Sequence, residues 1–378
     1  MRLQAWKARG KRTLVAAALS ATVIAGSAGW AAGNQQTAVT GPVPGVSSWR
    51  ADRALGQQLP DPATAKPAEV AAFFATLSEE KQQELLDRHP LVLGNLDGAP
   101  VSLRYEANAR ALQEERAVQL ARAADTALPG RDREAARERA GRYGELLAHG
   151  RQILVFDPRG RGQVAEVYGE LEHASHVSVI VPGSDIDLGS FDRTKDEYGT
   201  PTGMARSLYA ATGQRGAVIA WAGYTTPVGI GPDAATGRLA EAGAPRLARF
   251  VQGLTAAGAP EPTVFCHSYG SVVCGAAAPE MPAAGLVVAG SPGMRVDDAA
   301  DLHTTARVWA AKAADDWIDD VPNVELLGLG HGTDPADPGF GARAVPTAHV
   351  HGHTGYFAPG SDSLRAFARI ALGEQTAS

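Results

Sequence analysis

After residue 150 the chain alternates short runs of Val, Ile and Ala with helical segments, and no other feature restricts its fold as much. The runs are QILVF (152–156), VAEVYG (164–169), HVSVIVPG (176–183), GAVIAWAGY (216–224), PTVFCHS (262–268), AGLVVAGSPG (284–293) and ARVWAAKA (306–313). They are apolar without strict polar alternation, which fits strands buried on both faces. Between them TGMARSLYAAT and LAEAGAPRLARFVQGLTAAG have helical spacing, and Ser361 is placed to cap a last helix over DSLRAFARIALG. Strand and helix in alternation predict a mostly parallel sheet with helices on both faces, here over residues 151–375. In such sheets chemistry gathers beyond the carboxyl ends of the strands.

The preceding part reads differently. Residues 61–150 form a helical N-terminal region: Pro67 suits a first helical turn, Ser78 is placed to cap EEKQQELLDRH, and EANARALQEERAVQLARAAD (106–125) and the stretch 131–149 carry apolar residues at helical spacing among charges. Whether this region caps a site or only packs on the sheet is open at this level. Residues 33–60 are rich in Gly, Pro, Gln, Ser and Thr and read as a flexible linker. Residues 1–32 join a basic stretch ending at Arg12 to an apolar stretch, Leu14 to Ala32, that finishes in small residues. That is the layout of a secretory signal peptide, with cleavage after Ala28 or Ala31. The alternative is an uncleaved membrane anchor. Both place the folded part outside the cytoplasm, secreted or at the cell envelope, and membrane contact is expected only through this segment if it is retained.

Charge excludes one class of partner. The first 28 residues carry five basic groups and no acidic ones, so without them the formal charge moves from -6 to -11. No basic stripe remains, and nucleic acid is not an expected partner. The two cysteines, Cys266 and Cys274, flank a single turn. In an exported chain they read as a disulfide and, equally, as two small buried side chains.

Three strand ends carry reactive groups. The first is CHSYG, where Ser268 falls at a turn between an apolar strand and the small residues of a helix. The nucleophile elbow G-x-S-x-G has this form, with Cys266 here in place of the first glycine. Serine needs a base to become a nucleophile. The second is RVWAAKAADDWIDD, where Asp315 and Asp316 follow the strand directly. The third is HVHGHTGYF, with His349, His351 and His353. Ser, then Asp, then His is the chain order of the α/β-hydrolase triad. The competing reading of the histidines is a metal cluster, although alternate residues of an extended segment face opposite ways.

On these residues the chain resembles the α/β-hydrolase superfamily, and within it an actinobacterial branch long filed as a domain of unknown function. The resemblance rests on HPLVLGNLDGAP (89–100), ANARAL (107–112), HVSVIVPGSD (176–185), VIAWAGYTTP (218–227), CHSYGS (266–271), VVAGSPG (287–293), DWI (316–318), GHGTDPADPGFGA (330–342) and GHTGYF (352–357). It implies an α/β-hydrolase fold with Ser268 as nucleophile, Asp316 rather than Asp315 as acid, and His353 rather than His349 or His351 as base. It also implies an oxyanion loop after the third strand, with the backbone N–H groups of Tyr269 and Ser184 as donors and Gly183 as the alternative to Ser184. Taken with the export segment, these residues lead to the expectation of an exported serine hydrolase acting on a small-molecule acyl substrate, an ester first and a thioester or amide next, with no metal or organic cofactor; the resemblance itself supplies no substrate. Two other classes stay open: a serine peptidase, and a non-catalytic binding protein of the same fold at the cell envelope. Residues 185–200 read as a lid or a mere connection. Trp221, Tyr224 and Trp317 read as pocket walls or packing residues.

Overall fold

The computed structural model describes residues 35–321, 324–326 and 328–374. The expected export segment, residues 1–32, lies outside them.

Each apolar run read as a strand is one: β1 (Gln152–Asp157), β2 (Gln163–Tyr168), β3 (Val177–Val181), β4 (Ala217–Ala222), β5 (Thr263–His267), β6 (Gly285–Ala289) and β7 (Arg307–Ala311). Two further short strands, β8 (Glu325–Leu326) and β9 (Leu329–Gly330), make a separate antiparallel pair. A last one, β10 (Arg343–Ala344), completes an eight-stranded sheet in the order β1-β2-β4-β3-β5-β6-β7-β10. From β4 to β10 the neighbours are parallel. The first two strands run antiparallel to theirs.

The helices before the sheet are α1 (Val46–Ala51), α2 (Pro67–Ala75), α3 (Glu79–Arg88), α4 (Pro90–Gly94), α5 (Val101–Ala124) and α6 (Gly130–Leu146). Those woven into it are α7 (Pro201–Ala211), α8 (Pro232–Ala235), α9 (Arg238–Ala256), α10 (Gly270–Ala277) and α11 (Asp362–Ala371). Side-chain alternation along each strand feeds two cores. Ile180, Phe265, Val287 and Trp309 pack with Met204 and Leu208 of α7 and Leu364 and Phe367 of α11. Their neighbours Val179, Val264, Leu286 and Val288 pack with Leu247 and Val251 of α9 and Val272 and Val273 of α10. Ser361 caps α11 as expected, its Oγ accepting from the Leu364 N–H at 3.2 Å. Ser78 stands at the α3 N-cap position but its side chain makes no capping bond.

The connections create the site. From β3 the chain passes through α7 to β4 on one side, then returns through α9 to β5 on the other. The order therefore reverses between β3 and β5, and a crevice opens beyond their carboxyl ends at such a point.

The N-terminal helices pack on the β1 edge of the sheet. Asn108 of α5 donates to the Ile153 carbonyl at 3.1 Å, Arg104 to the Leu154 carbonyl at 3.2 Å, and Asn95 to the Phe156 carbonyl at 2.7 Å. These side chains occupy the acceptors an exposed edge would offer to another strand. The flexible-linker reading of 33–60 is corrected over its described part. Val43, Trp49 and Leu59 are buried with Val70, Phe74 and Leu93, and the Trp49 indole donates to the Pro60 carbonyl at 2.8 Å. The Gly and Pro residues there make turns between apolar anchors; composition alone does not register those widely spaced anchors.

Candidate active site

The strand β5 ends at His267, and the next residue, Ser268, sits in the left-handed region at φ 55. Such backbone costs a non-glycine residue about 1–2 kcal/mol and persists only where neighbours impose it. Here the Ser268 N–H donates to the Ala289 carbonyl of β6 at 3.0 Å, and its carbonyl accepts from the Ser271 N–H at 2.9 Å. Two glycines permit the tightness. A Cβ at Gly270 would come within 2.5 Å of the Val181 carbonyl oxygen, and one at Gly183 within 2.6 Å of the Ser268 Cβ. The start of α10 thus lies directly against the loop that leaves β3.

The elbow's missing first glycine has a structural counterpart: Cys266 and Cys274 form a disulfide. The bond ties the last turn of β5 to the middle of α10 and encloses Ser268 in the loop it closes. Both cysteines are buried, at 1% and 0% exposure, so a reductant in solution does not meet them in the folded state. A closed loop this short is worth about 2–3 kcal/mol by chain entropy. The paired variant Cys266→Ser/Cys274→Ser is expected to lose that amount in denaturant unfolding, while reductant added to the folded wild type leaves its activity unchanged. Equal unfolding midpoints for variant and wild type would sink the first expectation.

Three side chains far apart in sequence meet at the crevice. His353 Nε2 lies 2.8 Å from Ser268 Oγ, and its Nδ1 lies 2.8 Å from Asp316 Oδ1. A carboxylate only accepts, so Nδ1 carries the proton and Nε2 is left to accept from the hydroxyl. Asp316 is buried. Its Oδ1 also accepts from the Ile318 N–H at 2.9 Å, and its Oδ2 from the Tyr356 hydroxyl at 2.5 Å. Burial pushes the Asp316 carboxyl up, but the hydrogen bonds from His353 and Tyr356, the charge of His353 and the Ile318 N–H outweigh it and hold the group below its usual range.

The neighbouring candidates point elsewhere. Asp315 is exposed and meets the Gly352 N–H at 3.0 Å and His351 at 3.4 Å. His349 is exposed and pairs with Asp362 at 2.6 Å. The three histidines therefore have three different carboxylate partners and do not converge on one point.

Three residues have supporting roles that were not read from sequence, where Tyr224 was singled out only as a pocket wall or packing residue. Tyr356 fixes Asp316, as above, and accepts from the Ala313 N–H at 3.0 Å. Tyr224 is buried, and its hydroxyl donates to the Pro182 carbonyl at 2.7 Å, bracing the loop after β3. His267, inside CHSYG, donates from Nε2 to the His353 carbonyl at 2.7 Å, because a carbonyl oxygen can only accept. Tyr356, Tyr224 and His267 all lie in segments already singled out as motifs, which was the available signal. Trp221 is fully buried and stacked on Tyr224, so it is a packing residue. Trp317 is half-exposed, its ring 4.5 Å from that of His353.

Burial, with the nearby charge of His353, pushes the His267 imidazole down to about 3. A folded chain that refuses this proton while the unfolded chain takes it loses stability as pH falls below about 6.5, at a rate set by proton linkage. The contribution is intact above that value and reaches on the order of 3 kcal/mol against folding near pH 4.5. His267→Gln keeps an amide donor for the His353 carbonyl and is expected to show a shallower loss between pH 7 and 4.5 in urea unfolding. An unchanged slope would contradict the assignment.

Beyond β3, the backbone N–H groups of Gly183 and Ser184, and beyond β5 that of Tyr269, donate to no protein acceptor among the described residues. The Tyr269 side chain turns away, its hydroxyl donating to the Thr236 carbonyl at 2.7 Å. The segment 185–200 is anchored: Ile186, Leu188 and Phe191 are buried, and the Asp185 N–H donates to the Pro227 carbonyl at 2.8 Å. It is a fastened connection.

Residues 157–326 match a family model described as Alpha/beta hydrolase. Two relatives in Mycobacterium tuberculosis, the uncharacterized proteins MT2140 and Rv2079, are 32% identical over 381 residues, an alignment that takes in 84% of this chain and 57% of theirs. The chain thus spans little more than half the length of these relatives. Among solved structures it is similar to a 2,6-dihydroxy-pseudo-oxynicotine hydrolase (TM-score 0.37, 12% identity, 89% of this chain and 95% of that one). It is also similar to a serine hydrolase without a lid from Xanthomonas campestris (TM-score 0.36, 15% identity, 61% and 97%).

Proposed function

This chain belongs to the α/β-hydrolase superfamily, and from that premise we propose that it is an exported serine hydrolase that cleaves an ester through an acyl-enzyme. The observation that carries the reading is the continuous hydrogen-bonded line from Ser268 Oγ through His353 to Asp316. Ser268 attacks the acyl carbonyl as His353 Nε2 takes its proton. His353 then protonates the leaving alcohol, and Asp316 holds the imidazole tautomer and offsets its charge. The backbone N–H groups of Tyr269 and Ser184 receive the oxyanion, with Gly183 as the alternative to Ser184. Water attacks the acyl-enzyme by the same route in reverse. Nothing in these steps calls on a metal or an organic cofactor. Export is supported by the basic, apolar and small-residue layout of residues 1–32 and by the Cys266–Cys274 disulfide, a bond of oxidising compartments.

The test is covalent labelling. A fluorophosphonate is expected to add once to the purified chain, with peptide mapping placing the adduct on Ser268. No adduct on a folded protein rejects the proposal and favours the non-catalytic binding reading. Comparing p-nitrophenyl esters with aminoacyl and peptide amides then separates an esterase from a peptidase.

A further inference from the structure

Large apolar side chains that stand open to solvent are unevenly spread over the described residues. Val118 and Leu120 lie on α5. The others are Ile230 at 82% exposure, Val324 at 59%, Val228 at 49%, Leu329 at 45% and Trp317 at 44%, all in the connecting segments after β4 and β7, on the carboxyl side of the sheet.

Each of these segments is bonded to an element of the catalytic constellation. Trp317 lies against the His353 ring. Val228 and Ile230 flank Gly229, whose N–H donates to Asp185 at 2.8 Å, and Asp185 directly follows Ser184. Leu329 bridges to Thr236, and the Thr236 carbonyl holds the hydroxyl of Tyr269, the residue after Ser268. The segments that carry these apolar groups are thus tied to the acid and base, to the residue after the oxyanion loop and, through the Tyr269 hydroxyl, to the residue after Ser268. Surface leucines and valines occurring singly need no explanation, but a cluster bordering a reactive centre marks what that centre receives.

Charge narrows the occupant. The segment 224–231 (YTTPVGIG) holds no charged residue, and Glu325, the one charge in 324–330, is paired with Arg295 at 2.7 Å. Beside Trp317 the exposed charges Asp315, Asp319 and Asp320 are acidic, and the cation there, Lys312, is already paired with Asp319 and Asp334. With Arg295 and Lys312 both paired to carboxylates, such a rim offers little to an anionic headgroup, and its exposed aspartates repel an anionic surface.

We propose that Val228, Ile230, Trp317, Val324 and Leu329 form an apolar rim that receives an uncharged ester lipid in an aggregated phase, so that Ser268 works at a lipid–water surface. This names the substrate class for the proposed hydrolase and rests on that reading. It also gives the folded part a lipid contact of its own, beyond the one expected of the N-terminal segment. The apolar side chains lose their water when the surface closes over them, and the acyl chain leaves the lipid phase along the same rim toward the serine.

The test compares wild type with Ile230→Glu/Leu329→Glu, two positions that do not touch the Ser–His–Asp line. Substrates are dissolved p-nitrophenyl acetate and dispersed p-nitrophenyl palmitate. The variant is expected to lose about tenfold or more on the dispersed ester and to stay within about twofold of wild type on the dissolved one. Equal falls on both substrates, or no fall on either, overturns the proposal. Flotation with phosphatidylcholine vesicles is read separately on Ser268→Ala, with and without the two glutamates, since binding needs no turnover. If wild type hydrolyses neither ester, the hydrolase reading fails; glutamate-sensitive flotation would then still support the rim, and its absence would overturn it. A concentration-dependent dimer that the glutamates dissociate, with no flotation, assigns the rim to a second copy of the chain and overturns the lipid proposal.

Discussion

Ser268→Ala is expected to lower kcat on a soluble ester on the order of 10⁶-fold, leaving only the residual acceleration that binding and oxyanion donors supply without a nucleophile. KM should change little, because the removed hydroxyl forms its bond in the transition state. The variant should also fold normally: alanine keeps the Cβ that packs against Gly183 and occupies the same left-handed backbone. Ser268→Gly separates chemistry from strain more sharply. It too abolishes turnover, yet it frees the backbone at φ 55 from its Cβ and is expected to raise stability by about 1 kcal/mol. Loss of activity together with gained stability is the mark of a side chain held in place for reaction. Full activity in Ser268→Ala would remove the serine from the mechanism, and a destabilised Ser268→Gly would mean the elbow is not strained.

The fold was legible because its signal is local and repeated. Every apolar run of five or so residues became a strand, since each must be buried on both faces wherever it pairs. The direction of β1 and β2 was not legible: an antiparallel pair at a sheet edge carries the same Val, Ile and Ala as a parallel one. The strands β8, β9 and β10 are two residues each, too short for any period to show. The tether reading of 33–60 failed because Trp49 and its few apolar companions are diluted among turn residues, and burial depends on which helix face they meet. At the site, motif and chain order pointed to Ser268, an aspartate at 315–316 and a histidine at 349–353; the family resemblance singled out Asp316 and His353, and the structure brings those side chains together with Ser268. The roles of Tyr224 and His267 stayed hidden. Each bonds a backbone carbonyl, and a carbonyl belongs to every residue, so no sequence pattern marks the partner.

The choice between two adjacent aspartates gives the second large expected effect. Asp316→Ala should reduce kcat on the order of 10⁴-fold, as loss of the acid does in a Ser–His–Asp hydrolase, whereas Asp315→Ala should remain within a few-fold of wild type. Burial sets the difference: Asp316 is enclosed and contacts the imidazole at 2.8 Å, while Asp315 is exposed and touches only the neighbouring loop. Asp316→Asn should be the milder variant. The Ile318 N–H can only donate, so it draws the amide oxygen to the Oδ1 position, where that oxygen still accepts from His353 Nδ1–H. The amide nitrogen then faces the Tyr356 hydroxyl, which turns from donor to acceptor and leaves its own hydrogen without a partner. The imidazole thus keeps its tautomer and loses only the negative charge behind it. Asparagine should therefore fall between wild type and alanine in kcat. If Asp315→Ala carries the large loss and Asp316→Ala does not, the acid is Asp315. If asparagine is as damaging as alanine, the Ile318 N–H does not govern the amide's orientation, and the tautomer is lost along with the charge.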